Sequence, residues 1–157
     1  MRDGNGIPFQ NIDSFGTVIS APSAFAGGTT NARGDNDGTN DPFTLFNVTG
    51  DVLVRVFGVC TVTLTGASAT LEVGVAGNTA ALIAQETATD IDENGIFISA
   101  TQVIGAVALA SVPGPFVIVN GLDIIETVGT ADITAGNIYY VCLWRPLSRD
   151  GKVVSAV

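Results

Sequence analysis

Apolar and polar residues alternate with a period of two over much of the chain. Cys60, Val62 and Leu64 fall on one side of an extended run, with Thr61, Thr63 and Thr65 on the other. Leu71, Val73 and Val75 repeat the pattern against Thr70, Glu72 and Gly74. This period sends one set of side chains into a core and the other to the outside of a β-sheet. Gly66-Ala67-Ser68 between the two runs is expected to close a hairpin. Turn signals recur at Thr49-Gly50-Asp51, Gly77-Asn78, Glu93-Asn94-Gly95, Pro113-Gly114-Pro115, Asn120-Gly121 and Ala135-Gly136-Asn137. The strands expected between these breaks are 15–20, 43–48, 52–64, 69–76, 79–85, 96–100, 103–110, 115–119, 122–128 and 138–145. Ala80 to Ala84 also fits a helical turn, and alanine makes 103–110 ambiguous in the same way.

Val, Ile and Thr occupy 49 of the 157 positions, which reinforces the strand reading. The expected fold is all-β: an antiparallel β-sandwich, jelly-roll or Greek-key-like, with an extended N-terminal arm. An immunoglobulin-like sandwich is the alternative. Three zones are expected. Residues 1–42 form an arm and an exposed loop, because from Gly27 to Asp41 only Ala32 is apolar. Residues 43–146 form the sandwich, and 147–157 a short tail.

Charge changes the picture. The chain has 6 basic and 15 acidic residues, no His and a net charge of −9. A nucleic-acid binder would carry a basic stripe instead. Without His there is no Ser-His-Asp triad and no imidazole metal site. The charges are also clustered: none lies between Asn94 and Leu122. Interface cores are depleted in charge, so a homo-oligomer is expected. A membrane span is not, because the most apolar run, Val103 to Val112, stops at Pro113-Gly114-Pro115 and a spanning helix needs about 20 residues. The first residues lack the pattern of a signal peptide, so synthesis in a cytoplasm is expected. Cys60 and Cys142 then read as reduced, buried small hydrophobes, with a disulfide as the alternative.

Candidate chemistry is sparse. Asp35, Asp37 and Asp41 with Gly38 resemble part of a calcium loop, since hard cations take several oxygens from one turn. A solvated Asp/Asn/Gly turn is the competing reading. Arg33-Gly34-Asp35 is the tripeptide that integrins read, and a chance occurrence explains it. Asp90, Asp92, Glu93, Asp123 and Glu126 contain carboxylate pairs of the type used in glycoside hydrolysis. With few aromatic platforms nearby, they read better as surface charges flanking turns, and no enzyme is expected. Trp144 and Arg145, types enriched at interface hot spots, end the most aromatic run. A central core strand is the first reading of this run; in the second, Trp144 and Arg145 are candidate interface residues together with Phe9 and Phe15 of the arm.

The strings Gly50-Asp51-Val52-Leu53-Val54-Arg55-Val56-Phe57-Gly58-Val59, Leu71 to Ala84 and Tyr139 to Ser148 resemble small β-rich virion proteins of tailed bacteriophages. The resemblance implies a structural protein on the capsid surface, made in the host cytoplasm. A decoration or cement protein is its nearest counterpart, a homo-oligomer (a trimer being favoured) whose partner is the major capsid protein. No cofactor is expected beyond the calcium reading. The alternative function is a glycan- or receptor-binding sandwich of a tail or fibre, assisted by calcium.

Overall fold

The computed structural model describes residues 15–29, 31–36 and 41–157. Eleven strands are present among them: β1 (Gly16–Ser20), β2 (Phe43–Thr49), β3 (Val52–Thr65), β4 (Thr70–Val75), β5 (Asn78–Thr87), β6 (Gly95–Phe97), β7 (Val103–Ile104), β8 (Phe116–Ile118), β9 (Ile124–Gly129), β10 (Ala135–Pro146) and β11 (Lys152–Ser155). They form two antiparallel sheets. The first runs β1-β10-β3-β6-β7, with β8 also on β3, and the second runs β11-β2-β9-β4-β5.

The pairings nest. β1 pairs with β10, β2 with β9, β3 with β8 and β4 with β5. A long antiparallel ribbon folded over itself produces this order, and the result is a jelly roll. The immunoglobulin-like alternative, whose first two strands share a sheet, is thereby excluded. No helix among the described residues is long and apolar enough to cross a membrane.

Alternation builds the core. Along β3, Val52, Val54, Val56 and Cys60 point inward and are nearly inaccessible. They meet Ile138, Tyr140 and Cys142 of β10 on one side, and Leu71, Val73, Ile124 and Val128 of the second sheet belong to the same core. Gly58 keeps the inward parity of β3 because Tyr140 leaves no room: a Cβ there would lie 2.9 Å from Ile138 Cγ2 and 3.1 Å from the Tyr140 ring. Both cysteines are buried free thiols.

Several expectations are corrected. Gly66-Ala67-Ser68 is not a hairpin turn. It carries the chain from β3 in the first sheet to β4 in the second, and alternation cannot distinguish the two cases because either sheet buries one parity. Val62 is 55% exposed despite its parity, beside a register shift at Asn137 of β10. Residues 103–110 form a strand only at Val103–Ile104, followed by a 3-10 turn at Leu109–Ser111. The strand expected at 79–85 is present within β5, and its helical alternative at 80–84 is excluded. Lys152–Ser155, expected in a tail, pairs with β2 and buries Val153; a four-residue strand with one inward side chain has no period to read.

The expected exposed loop is corrected in part: Gly28, Thr29, Asn31 and Asn36 are exposed, but the middle of the described segment is not. Arg33 and Asp35 are buried, at 4% and 6% exposure. Backbone bonds tie this segment to the sandwich: Gly27 N–H donates to Ile133 at 2.9 Å, and Ile133 N–H donates to Gly34 at 2.8 Å.

Candidate functional site

The two outer faces of the sandwich differ in chemistry. On the second sheet the outward rows are Thr44 beside Ile125, Glu72 beside Thr127, Asn47 beside Val154, and Thr49 beside Lys152. An antiparallel sheet facing water has such a mixed polar surface. The first sheet lacks one. Its outward rows, read in register across the strands, are Ile19–Val141–Phe57, Tyr139–Val59–Ile96–Val103, Arg145–Leu53–Val117 and Thr17–Leu143–Arg55. Among the described residues, Arg55 and Arg145 are the only charged side chains on these rows. Ile19 is 55% exposed and Val117 60%.

The sequence carries the signal for this face. In 52–60 and 138–144 apolar residues occupy both parities, and a strand that is apolar on both faces has both faces covered. The neighbouring run 60–65 alternates, the pattern of a strand with one face in water.

The charge-free segment 94–122 forms one margin of the face. Arg55 Nη1 donates to the Val112 carbonyl at 2.5 Å and to the Leu109 carbonyl at 3.3 Å, fixing the 3-10 turn against β3. Leu109 itself is 54% exposed. Phe15, Arg55, Leu109 and Ala110 line a shallow, open hollow of about 240 Å³. A second, apolar hollow of about 160 Å³ opens at the edge between β8 and β5, lined by Val75, Leu82, Phe116, Val117, Val119 and Leu122.

Three of the four candidate interface residues gather at one end of the first sheet. Gly16 stands opposite Trp144, and the Arg145 guanidinium lies 5.7 Å from the Phe15 ring centroid. Trp144 is half-buried against the core, on the inward side. Phe9 lies outside the described residues.

The candidate calcium ligands divide. Asp37 lies outside the described residues. Asp35 is buried, and Asp41 is half-buried with its carboxylate accepting the Val128 N–H at 2.8 Å. Burial raises the Asp41 pKa, against the lowering effect of that hydrogen bond. No group of three potential metal ligands occurs among the described residues. Burial of Arg33 and Asp35 also removes the integrin-type tripeptide from the surface.

Glu126 is the carboxylate placed furthest from expectation. Read as a surface charge, it is 1% exposed, in the core. Arg33 holds it through two bonds, Nε to Oε1 and Nη2 to Oε2, the latter 2.9 Å. The Tyr140 hydroxyl donates to Oε2 at 2.9 Å. The Arg33 plane lies 3.8 Å from the Phe25 ring centroid, and its Nη1 donates to the Ser23 carbonyl at 2.7 Å. Burial is the largest single influence and lowers the Arg33 pKa, but Glu126 and Tyr140 together outweigh it and the net shift is upward. Burial, then Glu126, pushes the Tyr140 phenol well above its usual value. Every strong polar group here is paired and enclosed, which suits a structural lock rather than a reacting centre.

Comparisons with family models, curated proteins and solved structures found no match.

Proposed function

We infer that this chain is a structural, non-enzymatic virion protein that decorates a tailed-phage capsid and stabilises it by surface contact. The observation that carries the reading is the contrast between the two outer faces. One mixes polar and charged side chains with Ile125 and Val154; the other is a cross-strand apolar surface with two arginines and no carboxylate among its described rows. Apolar faces of this extent on a soluble domain mark an interaction site. The phage-protein resemblance supports the choice of a capsid: two of its strings, Gly50–Val59 and Tyr139–Ser148, run through β3 and β10, the two central strands of that face, while the third, Leu71–Ala84, runs through β4 and β5 of the second sheet.

A protein that binds only the assembled lattice stabilises it by mass action. Cognate phage shells with and without the protein are to be compared through a denaturant series. Shells that open at higher denaturant when decorated support the reading, and equal stability sinks it.

A glycan- or receptor-binding role is the second reading. It is favoured by a polar hollow of about 390 Å³ lined by Gly50, Asp51, Asn120, Ser148 and Asp150. Binding to immobilised glycans that is lost on Asp51→Asn and in chelator would favour it over the capsid role.

A further inference from the structure

The structure points to a second copy of this chain as the partner of the first sheet's outer face, an inference that rests on the interaction-face reading above. Charge is the first argument. Two copies that each carry −9 repel wherever carboxylates meet. The rows from Ile19 to Val117 have none, so copies approach there without that cost.

Area is the second argument. The face is four strands wide at its broadest, β1-β10-β3-β8 at Val54 and β10-β3-β6-β7 at Val59. With strands about 4.8 Å apart and residues rising about 3.4 Å, its outward rows span roughly 420 Å². Two such planes cover about 850 Å², the size of a weak, reversible contact, so association depends on protein concentration.

Shape is the third. Leu109 stands exposed beside the hollow that it forms with Phe15, Arg55 and Ala110. A face that meets its own copy does so about a two-fold axis, with each contact made twice. Leu109 of each copy then enters the hollow of the other. The unit in solution is a dimer.

Light scattering after size exclusion, over a range of concentrations, tests this on the full chain. Expected are a dimer for the unaltered protein and an increase of about tenfold or more in the dissociation constant for Val117→Asp and for Leu109→Asp. Both side chains are exposed, so both variants keep the native circular dichroism. Asn47→Asp, on the polar face, leaves the dimer intact. A dimer insensitive to Val117→Asp and Leu109→Asp overturns the inference, and so does a stable trimer. A monomer that dimerises only after deletion of residues 1–14 also overturns it, since the chain's own first segment then covers the face. The shell assay separates the two proposals: a monomer that still binds and stabilises shells ends the dimer inference alone. A protein that neither dimerises nor binds shells ends both.

Discussion

Arg33 and Glu126, 93 residues apart in the chain, form a two-bonded ion pair with both side chains 1% exposed. The pair fastens the segment before β2 to β9, beneath Tyr140 of β10. It thereby joins both sheets to a stretch with almost no apolar residues of its own.

Removing one partner leaves the other charged and buried. Glu126→Gln and Arg33→Ala are each expected to lower unfolding free energy by about 3–5 kcal/mol. An Arg33→Met, Glu126→Leu double variant should lose far less, because no charge remains to be buried. Urea unfolding of the three proteins checks this, and limited proteolysis should cut near Arg33 only in the single variants.

Tyr140→Phe deletes one hydrogen bond to Glu126 and keeps the ring. A loss of about 1–3 kcal/mol is expected, the upper part if Oε2 is left short of a donor. Chemical denaturation of the variant measures it.

Alkaline pH should destabilise the fold. Burial raises the Cys60 thiol to about 11 and the Cys142 thiol to about 12, and holds the Tyr140 phenol up as well. The unfolded chain therefore loses these protons before the native one does. Native stability is intact below the unfolded thiol value of 9.0 and falls as pH rises through and above it. Thermal melts across the alkaline range test the sign. At neutral pH neither thiol should react with an aromatic disulfide until denaturant is added.

Gly58→Ala forces a Cβ against Ile138 and the Tyr140 ring. With β10 fixed in register, a loss of about 1–3 kcal/mol follows from overpacking, read as a lower melting temperature.

A chain ending at Gly151 lacks β11. It loses the buried Val153 side chain, about 1.5–3 kcal/mol, and uncovers the edge of β2. Lower stability together with concentration-dependent aggregation is expected, since a bare strand edge is a template for pairing. Light scattering during a thermal ramp reports both.

Strand positions were legible because alternation and turn residues are local properties. Ten expected strands correspond in order to β1 through β10, with the largest shortening at 103–110. Partner choice was not legible: Gly66–Ser68 looks the same whether the chain turns back within a sheet or crosses to the other. Glu126 was misread for the same reason. One carboxylate beside Thr127 has a surface composition, and only Arg33 reaching it from another part of the chain makes burial tolerable. The apolar outer face was half legible. Its residues were visible in the runs 52–60 and 138–144, but their meaning depends on β1, β10, β3 and β8 lying side by side in register.

The nested ribbon also sets when this protein is able to fold. Val18 of β1 waits for Cys142 of β10, so the first strand emerges from the ribosome long before its partner exists. At a synthesis rate of about 5–20 residues per second, that wait is roughly 6–25 s. Through that interval β1 has no partner strand, β3 has β6 and β8 on one edge but lacks β10 on the other, and the first sheet is incomplete until β10 is made. Closure by such distant contacts is slow once synthesis ends, so yield in a cell should respond more to chaperone supply and temperature during translation than to the stability of the finished jelly roll.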